Sequence, residues 1–208
     1  MSFSKFSSIQ GKRIGAVSDV RKLAPIVAKW EGGYVNDPID KGGATNMGIT
    51  LNTWKLLGYD KDGDGDIDKN DVKLLNANDF SVILRKYWDK WQADKIKNQS
   101  VANILVDWYW GSGKWGIVIP QRDILGVKPD GVVGNVTIDA LNALDQRVLF
   151  DRIYAARVKF LNGIVTSSIA AYEKKIGRKA TPFERKNYTQ ERFLKGWLNR
   201  LADFKFSN

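Results

Sequence analysis

The 208-residue chain contains no cysteine and no histidine. The first absence excludes disulfides, thiolate nucleophiles and zinc–cysteine sites. The second excludes Ser-His-Asp catalysis, histidine metal centres and imidazole acid–base chemistry. An enzyme made from the remaining residue types, working near neutral pH, is expected to move protons with a carboxyl group of shifted pKa. No run approaches the roughly 18–20 apolar residues that span a bilayer, which argues against an integral membrane protein. There is no low-complexity linker and no simple repeat. With 43% hydrophobic and 27% charged residues, the composition is that of a globular chain of one large or two small domains. The opening MSFSKFSSIQGKRIGAV lacks the roughly 7–15-residue apolar core of a secretory signal. The expectation is synthesis in the cytoplasm without a recognisable signal peptide, followed either by retention there or by export through another system.

Acidic residues are outnumbered, and the formal net charge is +10. The imbalance is uneven. Residues 60–71 carry six aspartates against two lysines, a local −4, so the rest of the chain carries +14. From Asp151 onward there are thirteen Lys/Arg against five Asp/Glu. Such a basic surface favours a polyanionic partner, whether nucleic acid, anionic lipid surface or acidic cell-wall polymer, and charge alone does not choose among them. No recognisable nucleic-acid-binding motif accompanies the charge, and nucleic acid is not expected. Lys174, Lys175, Arg178, Lys179, Arg185 and Lys186 are the basic cluster most suited to an anionic surface, or else simply a solvated face.

Periodicity points to a mainly helical fold. Val20, Leu23, Val27 and Trp30 recur at helical spacing, with Pro25 expected in the first turn and Gly32-Gly33 as the stop. Residues 34–50 are dense in turn formers and predict a loop or small hairpin. Helices are expected over 51–57, over 72–91 with a break near 76–78, around 101–108, over 136–144, 149–165 and 193–204. Residues 166–190 read as polar, with a short helix near 168–176. A weak seam at 111–122 divides an N-terminal lobe, 1–110, from a C-terminal lobe, 111–208.

The string DKDGDGDIDKND places Asp60, Asp62, Asp64, Asp66, Asp68 and Asp71 at positions 1, 3, 5, 7, 9 and 12, with Gly65 at position 6. This is the EF-hand calcium-loop pattern, in which alternating hard oxygens converge on one ion. Position 12, usually glutamate, is the shorter Asp71. A single loop of this kind suggests a structural Ca2+ rather than a switch. The bland alternative is a solvated acidic turn.

Trp30-Glu31-Gly32-Gly33-Tyr34 puts one carboxyl at a helix end between two aromatic residues. Apolar burial there would raise its pKa, as a general acid requires. Asp40 follows nine residues later and Thr45 five after that. A helix-borne glutamate and a loop carrying an aspartate and a threonine can line one cleft for glycoside hydrolysis. Asp37 competes as the second carboxylate, and both aspartates also suit turns.

EGGYVNDPIDKGGATNMGIT resembles the opening motif of the glycoside hydrolase 108 family, the N-acetylmuramidases of phage endolysins and secretion-activator proteins. KYWDKW at 86–91 and VDWYWGSG at 106–113 resemble later blocks of that family. LGVKPDGVVGNVTIDALNAL at 125–144 resembles its predicted peptidoglycan-binding region, and FLKGWLNRL its closing helix. The resemblance spans about residues 20–205. It implies a lysozyme-like helical fold with a small loop or hairpin beside the active site, into which the calcium-like loop is inserted. It implies hydrolysis of the β-1,4 bond between N-acetylmuramic acid and N-acetylglucosamine, with a peptidoglycan strand as substrate and the chain acting as a monomer. It implies Glu31 as acid, with Asp40 and Thr45 in supporting roles.

Eight tryptophans remain to be placed. Trp54, Trp88, Trp91 and Trp197 are assigned to the core. Trp108, Tyr109 and Trp110 are consecutive and cannot all face one side of a helix. Tyr34, Asn46, Trp108 and Trp110 are the candidate substrate contacts, the aromatics equally able to pack inside. Asp107 is expected either to orient a neighbour across the cleft or to make a structural hydrogen bond. The alternatives to a muramidase are a lytic transglycosylase, which needs a single acid, and a non-catalytic calcium-dependent wall-binding module.

Overall fold

Residues 16–34 and 44–208 are described by the computed structural model. The first helix, α1 (Val20–Ala28), forms because Val20, Leu23, Ala24 and Val27 make one fully buried stripe. Each such side chain contributes roughly 1.5–3 kcal/mol when removed from water. Asp19 caps it, accepting from the Arg21 amide at 2.9 Å. Pro25 lies inside the helix rather than in its first turn, and the helix ends three residues beyond it. The chain then tightens. The Trp30 amide donates to the Val27 carbonyl at 2.9 Å and the Glu31 amide to Ala28 at 3.1 Å. Glu31 therefore stands in a turn just past the helix.

A two-stranded hairpin follows, β1 (Thr45–Asn46) against β2 (Ile49–Thr50), with Thr45 opposite Thr50 and Asn46 opposite Ile49. Met47 and Gly48 turn the corner with φ of 50° and 72°, and this left-handed backbone conformation at both positions gives the turn the right-handed twist of the flanking strands. Helix α2 (Leu51–Leu57) occupies its expected span. The acidic loop leads into α3 (Lys69–Leu74) and α4 (Phe80–Lys90). The break between these helices is held by Asp79, which accepts from the Asn76 amide at 2.8 Å and from the Tyr59 hydroxyl at 2.8 Å. A 3-10 turn (Ala93–Lys95) joins α4 to α5 (Gln99–Ser112), which is buried along most of its length.

Gly113 ends α5 with φ of 54°. Helix α6 (Trp115–Ile119) then doubles back so closely that a Cβ on Gly116 would sit 2.5 Å from the Tyr109 nitrogen, and only glycine fits. A π-helical turn (Pro120–Leu125) and α7 (Asn135–Ala143) lead to α8 (Gln146–Ile176). This 31-residue helix, ~46 Å long at 1.5 Å per residue, joins without a break the helix expected over 149–165 and the short one expected near 168–176. Its first two-thirds are anchored by Leu149, Phe150, Ile153, Leu161 and Val165; the rest projects. A helix missed from sequence, α9 (Pro182–Tyr188), starts with a capping box between Thr181 and Glu184. Helix α10 (Glu191–Ala202) closes the chain.

The result is a mainly helical, lysozyme-like fold in which the hairpin is the only sheet among the described residues. One buried cluster runs from Leu23, Trp54, Trp88 and Trp91 through Leu105 to Ile117, Leu141, Ile153 and Leu201. Among the described residues, no helix is long and apolar enough to cross a membrane.

Candidate active site

The turn after α1, the hairpin, the C-terminal end of α5 and helix α10 converge on Glu31. Its side chain is 23% exposed. Oε1 accepts two hydrogen bonds, from Trp110 Nε1 at 3.2 Å and from Arg200 Nη1 at 3.2 Å. Oε2 faces Gly48, where an added methyl would lie 3.6 Å away. The hairpin turn thus forms one wall beside this oxygen. The aromatic ring at Glu31 is Trp110, not the sequence neighbour Trp30. The Trp30 indole turns aside and donates to Asp203 Oδ2 at 2.7 Å. Nor is the carboxyl held in purely apolar surroundings, because a guanidinium contacts it.

Behind Glu31 runs a chain of alternating charges. Arg200 Nη2 donates to Asp107 Oδ1 at 2.7 Å, and Arg157 Nη2 to Asp107 Oδ2 at 2.6 Å. Asp107 is completely buried and Arg157 nearly so, at 7% exposure. Burial by itself would raise the Asp107 carboxyl, but the charges of Arg157 and Arg200 outweigh it and hold the group below the usual carboxylate range. Burial works against the charge of Arg200 too, and Asp107, with help from Glu31, more than restores it. Sequence reasoning raised Asp107 as a residue that might orient a neighbour across the cleft; the neighbour, Arg200, lies 93 residues away and was missed.

The other candidates fall in different places. Asp37 and Asp40 lie outside the described residues. Thr45 is half-buried on β1 of the hairpin, and Tyr34 is exposed at 38%. Trp110 is half-buried, wedged edge-on against Phe80 and Tyr87 with ring centroids 5.7 and 4.7 Å away. Two expected sugar contacts are corrected. Trp108, two residues from Trp110 and so on the opposite side of α5, is fully buried against Phe160 and belongs to the core. Asn46 is buried, and its amide donates to the Val72 and Leu75 carbonyls at 3.0 and 3.2 Å, tying the hairpin to α3. It anchors the hairpin instead of meeting a sugar.

In the acidic loop, carboxylate oxygens of Asp60, Asp62 and Asp71 lie within 4.8 Å of one another, and so do those of Asp66, Asp68 and Asp71. Asp71 is buried and common to both groups; Asp64 belongs to neither. Asp71 accepts from the Lys61 and Asp68 amides at 2.5 and 2.6 Å, and these bonds overcome its burial and keep it below the usual range. Asp62 and Asp66 are shifted upward. Desolvation followed by repulsion from Asp64, Asp71 and Asp60 raises Asp62; repulsion from Asp64 leads for Asp66. Gly63 and Gly65 hold the loop's sharp bends with φ of 82° and 101°.

At the tip formed by α8 and α9, Arg178, Lys179 and Arg185 are paired with Glu184, Glu173 and Glu191. Lys174, Lys175 and Lys186 are exposed there.

Fold and site together set one buttressed carboxylate, Glu31, in a lysozyme-like helical frame. Residues 24–113 match the model of the glycosyl hydrolase 108 family, and residues 115–202 match that of a predicted peptidoglycan domain. The solved structure of Brucella abortus SagA is similar at 29% identity and a TM-score of 0.54, covering 89% of this chain and 90% of that one. No curated protein matches the sequence. The first half of the chain thus carries the signature of a glycosyl hydrolase 108 domain and the second half that of a predicted peptidoglycan domain. These matches support a glycosidase that acts on peptidoglycan.

Proposed function

We propose that the chain hydrolyses the β-1,4 bond between N-acetylmuramic acid and N-acetylglucosamine, with Glu31 as general acid. The observation that carries this reading is the asymmetric setting of the Glu31 carboxyl. Both bonds from Trp110 and Arg200 fall on Oε1. Oε2, beside the hairpin turn, is left as the oxygen to carry and deliver the proton. As the glycosidic oxygen is protonated and the C–O bond breaks, positive charge grows on the sugar ring. Asp40 is proposed to face that charge or to activate the attacking water, with Thr45 on the hairpin positioning the water; Asp37 is the other aspartate proposed for the role. Single substitutions Asp40→Asn and Asp37→Asn separate the two. Tyr34 is exposed beside the Glu31 turn and offers a ring face to a sugar.

The acidic loop suits Ca2+. Two overlapping groups of carboxylates converge, Asp62 is raised by desolvation and then by neighbouring aspartates and Asp66 chiefly by repulsion from Asp64, and hard oxygens are the ligands that Ca2+ takes. Asp60, Asp62, Asp66, Asp68 and Asp71 would hold it. The ion supplies charge neutralisation and a staple between the hairpin side and α3; no step of the reaction passes through it. The exposed Lys174, Lys175 and Lys186 suit contact with anionic wall polymer or a membrane surface.

The test is product analysis. Purified peptidoglycan digested by the protein should yield muropeptides ending in reducing N-acetylmuramic acid. Ends carrying an anhydro ring would make the enzyme a lytic transglycosylase, and reducing N-acetylglucosamine would move the cleavage to the other bond. Unchanged peptidoglycan would leave wall binding as the function.

A further inference from the structure

We infer that Arg200 is a positioning residue for Glu31, so that the peptidoglycan domain supplies part of the hydrolase's own active site. The inference rests on Glu31 being the acid. Arg200 lies in α10, inside the span that matches the peptidoglycan domain, whereas Glu31 and Asp107 lie inside the glycosyl hydrolase 108 span. Its guanidinium bridges these two carboxylates, at 3.2 and 2.7 Å. A second bracket lies one helical step away on the same face of α10. Asp203 accepts from Lys29 Nζ at 2.8 Å and from Trp30 Nε1 at 2.7 Å. Arg200 in α10 and Asp203, the residue that caps it, thus grip three consecutive residues, 29–31, of the turn that carries the acid. That turn has left α1 and ends in Gly32-Gly33, whose Cβ positions would meet nothing within 4 Å. Its backbone is tied locally through the Trp30 and Glu31 amides, while the side chains at 29–31 are held by Arg200, Asp203 and Trp110.

The bridge has a chemical consequence. Arg200 takes Oε1 and leaves the proton to Oε2. When that proton passes to the leaving oxygen, the carboxylate that forms already faces a fixed cation, and no solvent has to reorganise. Asp107 and Arg157 behind it keep the guanidinium in place: Asp107 holds its far nitrogen and is itself held by Arg157. With Glu31 ionised, the four charges cancel. The peptidoglycan domain is therefore more than a tether, because its last helix aims the acid.

The experiment uses the full-length chain and soluble glycan substrate. Arg200→Ala should lower kcat about 100-fold while KM stays within about threefold, because Arg200 touches the acid and not the sugar. Added guanidinium should recover part of the loss. Arg200→Lys supplies the conservative variant: it keeps a cation for Asp107 and a near wild-type Tm, yet an ammonium lacks the planar fork that spans two carboxylates, so kcat should still fall about tenfold or more. A purely structural role predicts that activity follows Tm. A folded Arg200→Lys enzyme with kcat within about twofold of wild type, alongside an inactive Glu31→Gln, overturns the inference alone. A wild type that releases no reducing ends overturns the hydrolase reading and this inference with it.

Discussion

Replacing Asp107 by asparagine keeps the shape of the side chain and removes one charge from the middle of a buried row. The carboxylate is fully buried and holds Arg157 at 2.6 Å and Arg200 at 2.7 Å. Among the described residues, Arg157 otherwise makes one long hydrogen bond to the Ile104 carbonyl, at 3.5 Å, and lies over the Phe204 ring. Asp107→Asn therefore strands a buried guanidinium. Breaking a buried pair by removing one partner costs about 3–5 kcal/mol. For a chain of this size each kcal/mol shifts Tm by roughly 2–4 °C, so the fall should be roughly 6–20 °C. Circular dichroism melts measure it directly. A second variant, Asp107→Asn with Arg157→Met, should recover part of the loss, since the uncompensated cation is gone. The pH dependence has a definite sign. The folded Asp107 pKa lies below its unfolded value of about 3.9. Its stabilisation is therefore complete above that value and disappears as pH falls through the folded pKa. The acid limb of the wild-type stability curve should be steeper than that of Asp107→Asn. A variant melting within about 2 °C of wild type would refute the claim that this buried row supports the fold.

Asn46→Ala should destabilise by about 1–3 kcal/mol in urea unfolding, because two buried carbonyls lose their donor. It should also slow hydrolysis, since the hairpin that Asn46 anchors borders Glu31. Calcium should raise Tm at pH 7, by the equivalent of about 2.7 kcal/mol at a hundredfold excess over Kd. Asp62 and Asp66 have folded pKa values above the unfolded one, so without an ion their ionisation destabilises the loop at neutral pH. That penalty, and with it the benefit of Ca2+, should fade as pH falls through those raised values. A chelator, or Asp71→Ala, should remove the calcium-dependent rise while changing the catalytic rate much less than the melting temperature.

The helical class and the α2 span were legible because apolar spacing at 51–57 and across the other buried stripes repeats with the helical period. Glu31 stood out because its motif is short and local. The partners of Glu31 were not legible. Arg200 lies 169 residues away, and nothing in the pattern of α10 distinguishes it from a solvated arginine. Trp108 and Trp110 show the limit of periodicity. Two residues apart on one helix, they must face different ways, but only packing decides that Trp108 goes inward and Trp110 toward the acid. The continuity of α8 was hidden because Thr166, Ser167 and Ser168 interrupt its apolar stripe, and that part of the helix projects beyond the core that would have required one. The capping box at Thr181 and Glu184 was a readable sign of α9 that polar composition obscured.

The central claim is that one carboxyl, aimed by an indole and a guanidinium, performs the proton transfer. The most direct measurement is the rate of reducing-end release from purified peptidoglycan by wild type and Glu31→Gln, compared at matched folding by circular dichroism. The account predicts a folded variant that still binds peptidoglycan and has lost turnover by at least about 100-fold. A folded Glu31→Gln protein that cleaves at the wild-type rate would contradict it.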